Sequence, residues 1–239
     1  EGPVVAGTSL VRTPYFGPAT DLDQDVVYVC PTDPNTGVNV VVDLYIFANE
    51  ELGVDPQITA RGANHTFEFQ TIEHRGQSLK ATLDPGQPGQ DPPPDDDYAF
   101  GIAWSDWLGN QETVVLGAPR LIIDSQPPAA SDLVTDAVVY HRLPWGHADN
   151  GCQRQFSLAG SAGAVASAAG EAMTVMAYLG DSGDFSDRIG AATVADDGSF
   201  LIDDLLSGDH PEVSVRLVDR AGAVSEPVPV VQIAWTASL

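Results

Sequence analysis

Residues 98–110 read YAFGIAWSDWLGN, and the order of large and small residues in that stretch sets the fold class. Tyr98, Phe100, Ile102 and Trp104 alternate with Ala99, Gly101 and Ala103. Successive side chains of a strand point to opposite faces, so one face of this segment is large and apolar and the other is small. Such a strand packs one side on a core and turns the other outward. The residues that follow read as a turn. In SDWLGN, a short carboxylate at Asp106 can accept backbone N–H groups, Gly109 supplies a positive φ, and Asn110 tolerates the left-handed region.

Other stretches behave in the same way. VNVVVDLYIF at 38–47 is a long β-branched and aromatic run. HTFEFQTI at 65–72 alternates Phe67 and Phe69 with Glu68 and Gln70. VSVRLV at 213–218 alternates Val213, Val215 and Leu217 with Ser214 and Arg216, whose face is expected to meet water. Turn-forming residues lie between strands, in PTDPNTG at 31–37, DPGQPGQDPPPDDD at 84–97 and DDG at 196–198. AVASAAGEAM at 164–173 is alanine-rich, but Gly170 interrupts it and no 3.6-residue apolar stripe appears. It reads as a turn leading into the strand MTVMAYL at 173–179. The expectation is an all-β chain with no helix longer than about two turns.

The chain also repeats. PATDLDQDVVY at 18–28 matches PAASDLVTDAVVY at 128–140, which places Val26 and Val138 112 positions apart. SDWLG and VDRAG place Asp106 and Asp219 113 positions apart. Two separate landmarks thus share one period, about the size of an immunoglobulin-like sandwich. The junction falls in IDSQPPAAS at 123–131, where Pro127 and Pro128 cannot continue a ladder and stiffen the link. The domains expected are 14–126 and 127–239, joined by this Pro-Pro linker. Residues 1–13 read equally as the end of a preceding repeat or as a first strand, because PVVAGTSLVRTPYFGP at 3–18 tracks TVVLGAPRLIIDSQPP at 113–128.

Composition narrows the function. The 239 residues include 10 Lys+Arg against 34 Asp+Glu, a net charge of −24, and 43% are hydrophobic. Lys80 is the only lysine. A phosphate backbone or an anionic membrane is repelled by such a surface. No apolar run reaches the roughly 18 residues that span a bilayer. A chain that opens at Glu1, with no charged and apolar leader, is expected to be a processed or excised piece. Its two cysteines, Cys30 and Cys152, are too few for a disulfide scaffold or a zinc finger. They are expected not to bond to each other: like parts of neighbouring sandwiches lie on the order of 30 Å apart. A disulfide needs Cα atoms within about 7 Å.

The segments GSAGAVASAAGEAMTVMAYL, RIGAATVADDGSFLIDDL and VSVRLVDRAGAVSE of residues 160–226 resemble the bacterial Ig-like repeats of large, adhesin-type surface proteins. Residues 40–113 resemble a sister type, through NEELGVDPQIT and YAFGIAWSDWLGNQET, and IDSQPP resembles the junction between such repeats. The resemblance implies two tandem immunoglobulin-like β-sandwiches at an extracellular or cell-surface location. It implies a non-enzymatic structural or adhesive role, as a spacer or surface-assembly segment of a larger bacterial protein. The partners implied are other repeats of the same chain, surface proteins or glycans. Ala223 stands where the family usually has Asn, so the turn of the second domain is open to a different type.

Several residues invite chemistry. GDSG at 180–183 resembles the setting of a serine-protease nucleophile at Ser182. The continuation is D-F, and the nearest upstream histidines, His141 and His147, fall in a different strand and loop. No helix follows to build a nucleophile elbow, so the segment reads as a turn and a hydrolase is the least favoured reading. His141, His147 and Cys152 are spaced more loosely than zinc ligands. Calcium is the more serious metal, at Asp95, Asp96 and Asp97 with Asp124 at the junction, although no EF-hand spacing is present and a solvated acidic loop explains the same residues. No cofactor is implied. Trp107 and Trp145 fall on turns, where an exposed indole is a platform for a sugar ring or a protein partner; packing over a sandwich end is the plainer alternative. Asn64-His65-Thr66 fits a glycosylation sequon of little weight in a chain of bacterial character.

Overall fold

The alternation in residues 98–104 is met in full in the structure, a computed structural model: Tyr98, Phe100 and Ile102 are wholly buried and Trp104 nearly so. The structure describes residues 3–13, 25–32, 39–69, 71–84, 92–142, 155–166, 172–180, 185–206 and 212–232. The chain divides into two units, Glu1–Gln126 and Pro127–Leu239.

The described strands of the first unit are β1 (Val5–Thr13), β2 (Val26–Val29), β3 (Val41–Ala48), β4 (Leu52–Arg61) and β5 (Thr66–Glu68). They continue with β6 (Thr71–Arg75), β7 (Ser78–Leu83), β8 (Asp96–Asp106), β9 (Gln111–Val115) and β10 (Arg120–Ile123). One sheet has the order β1-β3-β7-β6 and the other β2-β10-β8-β4-β5, with β9 also on β8. β2 and β10 pair in parallel, and the other ladders are antiparallel. Val42, Leu44 and Ile46 of the first sheet meet Ile58, Tyr98, Phe100, Ile102 and Leu121 of the second in one hydrophobic cluster. Each such side chain contributes about 1.5–3 kcal/mol by leaving water.

Residues 5–13 form a strand of this unit's own sheet, with Val5 opposite Ala48 and Thr13 opposite Val41. Two sequence expectations are corrected. The single strand expected at 65–72 is two strands in different sheets: Thr66–Glu68 pairs with β4, and Thr71–Arg75 pairs with β7. Both sheets face one core, and the inward parity shifts from Phe67 and Phe69 to Ile72 where the chain changes partner. Phe67 and Phe69 remain on the core after the split. The acidic residues expected in a loop are partly in a strand, since Asp96 and Asp97 open β8.

The second unit has β11 (Val138–Arg142), β12 (Gln155–Gly160), β13 (Thr174–Leu179), β14 (Arg188–Thr193), β15 (Phe200–Leu206), β16 (Glu212–Val218) and β17 (Val228–Gln232). Its antiparallel sheets have the orders β11-β12-β15 and β14-β13-β16-β17. Phe156, Leu158, Ile202 and Leu205 from one meet Val175, Val213, Val215 and Leu217 from the other. Gly160 is needed beside its cross-strand partner Phe200, because a Cβ there would overlap the Phe200 ring. Ser214 departs from the expected wet face: it is wholly buried in a strand flanked by β13 and β17, and its Oγ has no partner among the described residues.

Among the described residues the only helical turns are the 3-10 segments Ala130–Asp132, Thr135–Ala137 and Phe185–Asp187. No helix of the described residues is long and apolar enough to cross a membrane.

Candidate functional site at the end of strand β8

Asp106 is the last residue of β8, and its carboxylate organises the chain that follows. Oδ1 accepts the N–H groups of Leu108 at 2.8 Å and Asn110 at 2.9 Å. Oδ2 accepts the Asn110 side-chain amide at 2.6 Å. That amide, ahead of the backbone donors, holds the carboxyl below its ordinary pKa. The backbone closes the same turn, with Asp106 N–H donating to the Asn110 carbonyl and Gly109 N–H to the Asp106 carbonyl. Gly109 has φ 82, as a left-handed turn position requires.

Asn110 acts differently from the sequence expectation. Among the described residues Asp204 is the only non-glycine with positive φ, so Asn110 contributes its amide and not a left-handed backbone. The matching turn of the second unit corrects a second expectation. Asp219 N–H donates to the Ala223 carbonyl, Gly222 N–H to the Asp219 carbonyl, and Gly222 has φ 96. The backbone pattern is therefore the same with Ala223 as with Asn110. The Asp219 carboxylate compensates by accepting the N–H groups of Gly222 at 2.8 Å and Ala223 at 2.9 Å. Asp219→Ala is expected to cost about 1–2 kcal/mol, as loss of a capping side chain does. Urea unfolding measures it, and an unchanged midpoint would show that the carboxylate does not brace the turn.

The first of these turns carries the most exposed apolar side chains of the described chain: Trp107 is 70% and Leu108 87% exposed. The turn is seated on β4 at Gly53, where a Cβ would sit 2.6 Å from the Asp106 carbonyl carbon and 2.9 Å from the Trp107 Cα. Beside it runs a groove of about 350 Å³ lined by Gln57, Trp104, Ser105, Gln111, Glu112 and Thr113. Its origin is the small face of β8. Ala103 stands between Gln57 of β4 and Thr113 of β9, and Gly101 between Thr59 and Val115, so a low middle strand lies between longer side chains. Sequence reasoning singled out Trp107 and missed the groove. The outward Ala-Gly-Ala pattern was its only trace, and the walls come from strands far apart in the chain.

The acidic residues proposed for calcium point to separate protein donors. Asp95 accepts the N–H and hydroxyl of Ser125 at 2.9 and 3.0 Å. Asp97 forms a two-pronged ion pair with Arg120. Asp124 accepts Gln126 N–H at 3.1 Å. Asp96, with a side chain only 7% exposed, caps the turn between β4 and β5. It accepts N–H groups from Ala63 at 3.1 Å, Asn64 at 2.9 Å and His65 at 3.2 Å. No group of three or more His, Cys, Asp or Glu among the described residues is arranged to hold a metal ion.

The Asn64 N–H first, and then the Asp97 N–H, which donates to Asp96 Oδ1 at 2.9 Å, bring the Asp96 pKa down to about 2 from 3.8. A depressed folded-state pKa stabilises the fold above the unfolded value, and that contribution is lost as the pH falls. The window here is from about pH 4 down to about pH 2. Asp96→Asn is therefore expected to lower Tm at neutral pH, with a gap to the unaltered protein that narrows across this window. A gap independent of pH would refute the carboxylate's role.

Cys30 is half-buried, and its Sγ donates to the Thr32 carbonyl at 3.2 Å. Asn64 is exposed in the turn that Asp96 caps, and His141 is exposed near the end of β11. Trp145, His147, Cys152 and Ser182 lie outside the described residues. No protein-family model matches the chain, and no curated protein matches it either.

Proposed function

We propose that this chain is a non-enzymatic adhesive segment of a larger bacterial surface protein, built as two tandem immunoglobulin-like β-sandwiches and acting outside the cell. The observation that carries the reading is the Trp107–Leu108 pair, exposed at 70% and 87% on a turn held by Asp106 and Asn110. A large apolar pair on a surface this acidic contributes nothing to the core. Held on a rigid turn, it loses little conformational freedom when it meets a partner. Indole offers a flat apolar body and a polar N–H, which suits glycan or protein surfaces. The net charge of −24 disfavours nucleic acid and anionic lipid. The immunoglobulin-like assignment is supported by the two-sheet construction of each unit and by the sequence resemblance.

The test is adhesion of beads coated with the full chain to bacterial and host cell surfaces under flow. Trp107→Ser with Leu108→Ser is expected to reduce retention several-fold without lowering Tm. Equal retention of the double variant would overturn the reading.

A further inference from the structure

We infer that the groove on the outer face of β4, β8 and β9 is a binding site for a neutral glycan. This inference rests on the adhesive reading above and names the ligand class that the same end of the unit would take. Three observations meet there.

The first is shape. The low residue Ala103 of β8 lies between Gln57 on one side and Thr113 on the other. The resulting space of about 350 Å³ falls within the range of small-ligand sites.

The second is chemistry. Gln57, Gln111, Ser105 and Thr113 supply amides and hydroxyls, which both donate and accept. Sugar hydroxyls need that mixture. Among the described residues no Lys or Arg lines the groove. A sulfated, phosphorylated or sialylated ligand would meet like charge there and across a surface of net charge −24.

The third keeps the commonest alternative out of the groove. An extended peptide binds a sheet by adding a strand at a free edge. Along the groove β8 is already bonded on both sides, to β4 and to β9, so a peptide strand could add only at the outer edge of β9 and not within the groove. Side-chain recognition remains, and Trp107 stands at the groove's end, where Ser105 and Gln111 flank the turn.

The experiment uses the full chain against a panel of neutral gluco-, galacto- and manno-oligosaccharides, with sulfated and sialylated counterparts, by glycan array and titration calorimetry. At least one neutral oligosaccharide is expected to bind and to shift tryptophan emission. Gln57→Ala and Gln111→Ala, both exposed positions that leave the core intact, are each expected to weaken binding about ten-fold, as loss of a ligand hydrogen bond does. Ala103→Leu, which raises the floor, is expected to abolish it while retaining a cooperative melt. The inference is overturned if no neutral oligosaccharide binds at millimolar concentration, if the two glutamine variants bind as before, or if the acidic counterparts bind better. Loss of glycan binding alongside Trp107-dependent adhesion would sink the groove and spare the adhesive reading. Groove-dependent glycan binding without Trp107-dependent adhesion would do the reverse.

Discussion

Gly53→Ala is expected to destabilise the first unit by about 3 kcal/mol, at the upper end for overpacking a tight site. The added methyl would overlap the Asp106 carbonyl and sit 2.9 Å from the Trp107 Cα. Every atom it meets is backbone, so no rotamer change makes room. Gly53 sits where the pairing of β4 with β8 slips, between Leu52 opposite Asp106 and Val54 opposite Ser105. The strand ends must separate, and the Asp106 turn is carried with them. Urea unfolding gives the loss, and the amide resonances of Leu108 and Asn110, both bonded to Asp106 Oδ1, report the turn. The amide shifts are expected to move toward those of an open loop, with adhesion falling in parallel. A loss under about 1 kcal/mol with unchanged amide shifts would show that the two backbones are not in contact.

Phe100→Ala is expected to cost about 3–5 kcal/mol, the usual result of emptying a buried aromatic site. Phe100 is wholly buried, and its ring centroid lies 5.8 Å from that of Phe69. Phe69 lies 5.6 Å from Phe67, which meets Tyr98 edge-on at 5.0 Å. The chain of rings ties the β4–β5 edge to the central strand. Burial pushes the Tyr98 phenol up to about 12, so it stays protonated and donates to the Pro94 carbonyl at 2.8 Å. A whole domain is stable by only about 5–15 kcal/mol, so this one truncation removes much of the margin. Phe100→Leu retains most of the volume and is expected to cost well under half as much. Thermal and urea melts distinguish the two variants; equal losses would mean that the cavity is not what matters.

Both predictions start from patterns that are plain in the chain. The all-β character follows from period-two alternation, because burying one face of a strand is a local demand on every second residue. Tyr98, Phe100, Ile102 and Trp104 meet that demand without reference to what covers them. The Asp-x-x-Gly turns are equally local. A carboxylate reaches N–H groups two to four residues ahead, and a glycine takes the positive φ, whatever lies elsewhere.

Partnership was not local, and only the tertiary structure decided it. Residues 65–70 alternate and the parity shifts between Phe69 and Ile72, yet the two halves serve two sheets that the stretch does not name, since alternation records which face is buried and not which strand is alongside. The acidic run Asp95–Asp97 suggested one shared ion. Three-dimensional pairing sends its members to Ser125, to the 63–65 turn and to Arg120, because neighbours along a strand point in opposite directions. The groove follows the same rule. Ala103 and Gly101 show in the sequence only as small residues, while its walls at Gln57 and Thr113 exist only after β4 and β9 have found β8. What single strands require is written residue by residue. What one strand offers another depends on register and sheet order, which no short stretch contains.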